Sequence, residues 1–337
     1  MIKKIVSTSL ILSVVASASL LDDAKKAGLK PIPTDKKELL KVIDNPNNKI
    51  NEAKVKLGKD LYFEPRLSKS NLISCNTCHN LATGGVDGVS AAIGHKWTAN
   101  PHHLNSPTVY NAVFMSRQFW DGRSPDLEDQ AQGPMQAAPE MAISKEMAVD
   151  RISSMPEYKE MFKKAFGDDK ISFKHIADAI GAFERTLVTP SRFDEFLNGK
   201  EDALTPEEKK GLKTFIDKGC TACHTGVGIG GSMQKFPLVK PYKYANVGDF
   251  KGDKNGMVKT PTLRNILQTA PYYHNGAVWD IKEAIKIMGE TQLGINLTDD
   301  EVKDIATFFK ALDGKMPTVE YPHLPAVTTS TPKPEAN

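Results

Sequence analysis

All four cysteines of this 337-residue chain fall in two pentapeptides, Cys75-Asn-Thr-Cys78-His79 and Cys220-Thr-Ala-Cys223-His224. Four chemistries compete for a Cys-x-x-Cys pair. A disulfide would suit an exported chain. A zinc site built from two pairs usually has about 15–20 residues between them, and Cys78 and Cys220 are much further apart. A thioredoxin-like pair has no use for the histidine that follows each second cysteine. Haem c attachment uses every residue: the two thiols add across the two vinyl groups, and the adjacent imidazole ligates the iron. Two motifs that consume every cysteine therefore predict two covalent haem c groups. Cys75 and Cys78 anchor the first, with His79 as its axial ligand. Cys220 and Cys223 anchor the second, with His224.

The sixth ligands decide between an electron carrier and an enzyme. His95, His102, His103, His175, His274 and His323 are candidates, with the methionines. A lone histidine is more often a surface or satisfied core residue than a ligand. Met288 shares an apolar helical stripe with Ile281 and Ile285, which reads as core packing. A lone glutamate such as Glu140 reads as a solvated charge. On residue types alone, a dihaem electron-transfer cytochrome and an enzyme both stay open.

The elements around the motifs are helical. Thr205 caps a helix with Pro206 at its first position and Glu208 closing a capping box, and that helix runs into the second haem motif. Thr298 and Glu301 repeat the device, followed by an apolar stripe of Val302, Ile305, Phe309 and Leu312 ending near Gly314. Ile176, Ile180, Phe183 and Leu187 recur at helical spacing, and DKKELLKVI and NEAKVKLGKDLYF read as helices as well. Strand alternation is scarce, and a long loop rich in glycine follows each haem motif. KGDKNG (251–256) resembles the start of an EF-hand but lacks the first and last acidic ligands, so it reads as a turn. The fold class expected is mainly α, two cytochrome c-like haem domains with long loops. The tail AVTTSTPKPEAN reads as disordered.

Lys3 and Lys4, the apolar run from Ile5 to Val15 and Ala16-Ser17-Ala18 read as a signal peptide over 1–18. No later run is long and apolar enough to cross a bilayer. The formal charge is +3, and without Lys3 and Lys4 42 basic residues face 41 acidic ones. With no basic block, nucleic acid is not an expected partner.

The segments SCNTCHN, IGHKW, SPTVYNAVFMSRQFWDGRSPDLEDQAQGPMQAAPEM, FERTLVTPSRFD, CTACHTG, TPTLRNI, APYYHNG and IMGETQLG stand in the order found in the bacterial dihaem cytochrome c peroxidases. The chain resembles that family over residues 35–325. The resemblance implies reduction of hydrogen peroxide in the periplasm, with a small c-type cytochrome or similar protein as donor and a homodimer as assembly. It implies a peroxidatic haem domain over 19–190 and an electron-accepting one over 191–314. The tail over 315–337 returns to the first domain, its end disordered. His95 matches a distal ligand on a movable loop of the first haem, and Met288 the sixth ligand of the second. Trp120 matches a tryptophan between the haems, Glu140 the catalytic acid–base, and Gln130 a glutamine of the same pocket. His274 matches a histidine near the second haem. Asn105, Thr269 and Pro271 match the ligands of a Ca²⁺ ion between the domains. Relatives that oxidise a protein substrate at long range carry tyrosine in place of Met288, which argues against that activity.

Overall fold

A computed structural model describes residues 19–335; the expected signal peptide, 1–18, lies outside them. In chain order its helices are α1 (Leu20–Lys26), α2 (Lys36–Ile43), α3 (Glu52–Tyr62), α4 (Cys75–Cys78), α5 (Leu127–Gln136), α6 (Lys145–Ser153), α7 (Pro156–Phe166), α8 (Phe173–Glu184), α9 (Arg192–Leu197), α10 (Pro206–Asp217), α11 (Ile281–Met288) and α12 (Asp299–Phe309). Strands β1 (Met233–Lys235) and β2 (Met257–Lys259) form a short antiparallel ribbon with Gln234 opposite Val258. Loops make up much of the remainder, so the mainly α class expected from the sequence is the one observed. The capping boxes at Thr205/Glu208 and Thr298/Glu301 are both formed, and Asn51 and Asp35 cap α3 and α2.

Two large apolar cores form among the described residues, beside a small cluster around Tyr242 and Tyr272. The first gathers Leu57 and Leu61 of α3, Phe162 of α7 and Ile176, Ile180 and Phe183 of α8. The second gathers Phe193 and Phe196 of α9, Phe215 of α10 and Ile305 and Phe308 of α12. The same device builds both. In each, the helix that leads to a haem motif crosses the last helix of the core at a glycine. A Cβ on Gly58 would overlap the carbonyl oxygen of Ala179, and one on Gly211 that of Asp304. The backbones can approach this closely because no side chain separates them. Tyr62, ending α3, donates its hydroxyl to the His79 carbonyl at 2.6 Å and so fixes the first motif against its own helix.

The segment before α2 packs differently from the expected 19–190 unit. Ala24 and Leu29 belong to the second core, and Ile32 N–H donates to Asp194 Oδ1 at 2.7 Å. Asp194 also accepts from the Arg264 guanidinium at 2.7 and 2.9 Å, an ion pair with 0% and 1% side-chain exposure. One buried carboxylate thus joins the N-terminal arm, α9 and the loop after β2. At the junction of the cores, Thr189 Oγ1 accepts from Asn111 Nδ2 and from Asn265 Nδ2, both at 2.7 Å. The tail also departs from the expectation of disorder. Arg66 donates to the Pro325 carbonyl, Arg151 to that of Lys333, and Glu335 N–H to that of Lys69. Buried guanidinium groups need acceptors, and an extended chain supplies carbonyls without needing a core of its own.

Gly58→Ala is expected to lower the unfolding free energy by about 1–3 kcal/mol, the usual cost of overpacking a tight contact. Urea unfolding followed by circular dichroism checks this, and an unchanged midpoint would mean that α3 and α8 can part without cost.

Candidate active site

The second motif opens an apolar cleft with about 1180 Å³ of empty space, partly open to solvent. Cys220, Cys223 and His224 line it together with Phe215, Leu263 and Met288. Met288 ends α11 where the helix loosens into a wider turn over Gly289–Leu293. Among the described residues lining the cleft it supplies the one thioether; Met233 and Met257 of the ribbon do not reach it. His224 is buried and its Nδ1 has no hydrogen-bond partner. Burial pulls its pKa down to about 4, so the ring is neutral and free to ligate. An unpaired dithiol, a neutral imidazole, a thioether and an apolar wall fit a c-type haem.

The first motif is held from both sides. His79 Nδ1 lies 2.9 Å from the Pro107 carbonyl, which fixes the tautomer and leaves Nε2 for a metal. Cys75 and Cys78 are free thiols. Burial pushes Cys78 up to about 12, so the thiol is neutral.

His95 stands on a short loop closed by a bridge between Ile93 and Ala99. The ring is buried, and its Nδ1 has no partner. Its backbone N–H donates to the Glu140 carbonyl at 2.8 Å, and a Cβ on Gly94 would overlap the Pro139 carbonyl. Loop and turn therefore form one unit. The turn is tied to the end of α5 by Met141 N–H to Pro134 O and Ile143 N–H to Met135 O; Gln130 lies half-buried on the same helix. Burial raises the Glu140 carboxyl above the usual range, and Arg123 partly opposes it. A carboxyl shifted upward takes up a proton more readily, which suits a group that must accept and return one.

Trp120 lines the second cleft and also a smaller one between the domains. Its Nε1–H donates to the Asn105 carbonyl at 2.9 Å. The three expected calcium positions, Asn105, Thr269 and Pro271, line that smaller cleft together. Asn105 Nδ2 is used by the Val89 carbonyl, which leaves Oδ1 as the side-chain atom for ligation. The remaining histidines sit elsewhere. His102 pairs with Asp249, His103 meets the Asn275 carbonyl, His175 stacks on Phe166, and His323 is exposed in the tail.

An internal repeat, with no periodicity to mark it, flanks the site. Residues 105–122 and 259–276 are two copies of one loop, with Asn105/Lys259, Pro107/Pro261, Thr108/Thr262, Asn111/Asn265, Phe119/Tyr273, Trp120/His274 and Gly122/Gly276 in register. Asn111, Asn265, Phe119 and Tyr273 all have φ between 58° and 70°. Both threonine hydroxyls donate to a carbonyl of the loop after their own haem motif, Thr108 to Gly84 and Thr262 to Gly228. The copies then exchange backbone bonds: Asn105 N–H donates to the His274 carbonyl and Lys259 N–H to that of Trp120, each at 2.8 Å. The Trp120 and His274 rings meet edge to face at 6.4 Å. His274 is thus the counterpart of Trp120, and burial depresses its pKa to about 4.

The family model described as "Di-haem cytochrome c peroxidase" matches residues 52–202, and the one described as "Cytochrome c" matches 208–313. The chain belongs to the di-haem cytochrome c peroxidase family. A "Cytochrome c551 peroxidase" of Pseudomonas aeruginosa is 46% identical over 95% of this chain and 94% of its own. A protein of the same description from Nitrosomonas europaea is 44% identical over 84% and 86%. A solved MauG-like protein associated with microbial copper homeostasis superposes with a TM-score of 0.71 at 28% identity, covering 81% of this chain and 93% of that one. This family member is an oxidoreductase acting on peroxide, and it carries two covalently bound haem c groups.

Met288→His is expected to lower the midpoint potential of the second haem, because imidazole favours Fe(III) relative to a thioether. A spectropotentiometric titration resolves it. An unchanged potential would assign the sixth ligand to another residue.

Proposed function

We propose that this chain reduces hydrogen peroxide to two waters in the periplasm, drawing electrons from a small soluble c-type cytochrome or a similar donor. The observation that carries the division of labour is the contrast between the two motifs. His224 shares an apolar cleft with Met288, at the end of a helix. His95 stands instead on a loop hydrogen-bonded to the Glu140 turn. A ligand on a helix suits a saturated electron-accepting centre, and one on a loop beside an acid suits a centre that opens for substrate.

Bound haem supplies an iron that takes up the donor's electron in the C-terminal domain and one that holds and reduces peroxide in the N-terminal domain. The chain does the rest. Cys75 and Cys78 would anchor the first group and Cys220 and Cys223 the second, with His79 and His224 as the imidazoles that would ligate the irons. His95 covers the peroxide position at rest and withdraws with its loop. Glu140 accepts the proton of one peroxide oxygen and returns it to the other, so that the leaving group departs as water. Gln130 borders the same pocket. Two electrons and two further protons complete the reduction. Trp120, pinned by its bond to the Asn105 carbonyl, fills the wall between the centres and excludes water from the electron path. Asn105 Oδ1 and the carbonyls of Thr269 and Pro271 would hold a Ca²⁺ ion, whose preference for hard oxygen ligands they suit.

Steady-state peroxide turnover with a reduced small cytochrome c tests the reading. Glu140→Ala is expected to lower turnover by roughly 10²–10⁴-fold, a loss typical of general acid–base help, while both haem spectra stay as in wild type. Turnover near the wild-type rate would return Glu140 to an ordinary half-buried carboxyl.

A further inference from the structure

Lys259 is 5% exposed. It closes β2 and stands in the second loop copy where the first has Asn105. Its ammonium makes no ion pair or hydrogen bond with the described residues; Asp121 acts on it only through space and is itself paired with Arg123. The other buried cations among those residues are all partnered. Lys54 reaches Asn48, Arg66 reaches Glu64, Arg151 and Arg185 reach backbone carbonyls, and Arg264 reaches Asp194. A buried cation without a counter-charge is strongly disfavoured, so Lys259 is built for an anion that the chain does not supply. It lines the cleft of His224 and Met288 and also the smaller cleft of Asn105, Thr269 and Pro271, with Trp120 common to both.

We propose that the Lys259 ammonium binds a propionate carboxylate of the haem seated between His224 and Met288. This rests on the reading of that cleft as the second haem site. The haem brings two carboxylates into an apolar cleft, and Lys259 neutralises one of them where it would otherwise be buried unpaired. The backbone bond from Lys259 N–H to the Trp120 carbonyl fixes the cation against the wall between the centres. A cation at the haem edge offsets negative charge beside the iron and so favours Fe(II), in the same direction as the Met288 thioether. The second loop copy therefore carries a charge where the first carries an amide, one source of the difference between the two centres. Lys259 is a positioning residue, acting through the cofactor rather than on peroxide.

The full-length holoprotein with Lys259→Met or Lys259→Arg provides the test. Haem content comes first: wild type should hold two covalent haems, and Cys220→Ala/Cys223→Ala one. Failure at that step defeats the haem reading itself. Resonance Raman then reads the propionate bending mode, and redox titration reads each midpoint potential. Lys259→Met is expected to shift the propionate mode and lower the potential of the His224 haem more than that of the other. Lys259→Arg should keep both near wild type. If Lys259→Met does not take up the second haem, Lys259→Gln is read by the same two measurements. An unchanged mode and potential in a two-haem variant, or a larger change at the first haem, overturns the proposal.

Discussion

Two backbone hydrogen bonds hold the functional centre together, one from Asn105 N–H to the His274 carbonyl and one from Lys259 N–H to that of Trp120. They are related by the internal repeat, so each loop copy grips the aromatic residue of the other. Trp120 and His274 are held edge to face by this exchange, and the smaller cleft with Asn105, Thr269 and Pro271 lies against the same wall. Backbone bonds suit this position because they survive changes of side chain. One copy can thus present tryptophan and asparagine while the other presents histidine and lysine. Two copies of one loop thus present different side chains without a change of frame.

Each domain contributes rigidity where a motif must not move and freedom where it must. Gly58 and Gly211 let the leading helix of each core lock against the last, and Tyr62 carries that lock to His79. The pair of Asp194 and Arg264 does the same for the C-terminal domain and gathers the N-terminal arm as well. The His95 loop is different. It is closed on itself by the bridge between Ile93 and Ala99 and joined to its surroundings by the bond to the Glu140 carbonyl and the close approach of Gly94 to Pro139, with Lys96 and Trp97 at φ near 60° and Trp97 61% exposed. Segments with few buried apolar contacts open at low cost.

The sequence announced those parts of the fold whose causes are local. Capping boxes, apolar stripes and the two Cys-x-x-Cys-His motifs each lie within a few residues, and the helices they predict are formed. The 251–256 turn was legible for the same reason: Asp253 Oδ1 accepts from the N–H groups of Asn255 and Met257. What could not be read depends on distance or on unusual backbone. Helix α5 hides behind Gly133 and Pro134. The loop repeat hides behind left-handed Asn111 and Asn265, which leave no periodicity. The return of the tail and the transfer of α1 to the second core are contacts across more than a hundred residues, and neither has a local signature. At the site, Met288 and Glu140 look like core and surface until a resemblance singles them out. Lys259 gave no signal at all, because a buried lysine is distinguished only by what surrounds it.

The gating of the first centre by His95 is the central claim, and electron paramagnetic resonance of the first iron tests it most directly. In the fully oxidised protein the first iron should be low-spin, with two axial imidazoles. After reduction of the second haem alone, it should give a high-spin signal. In oxidised His95→Gly that high-spin signal should already be present. A first iron that is high-spin in the oxidised wild type, and spectrally unchanged by His95→Gly, would contradict the gate.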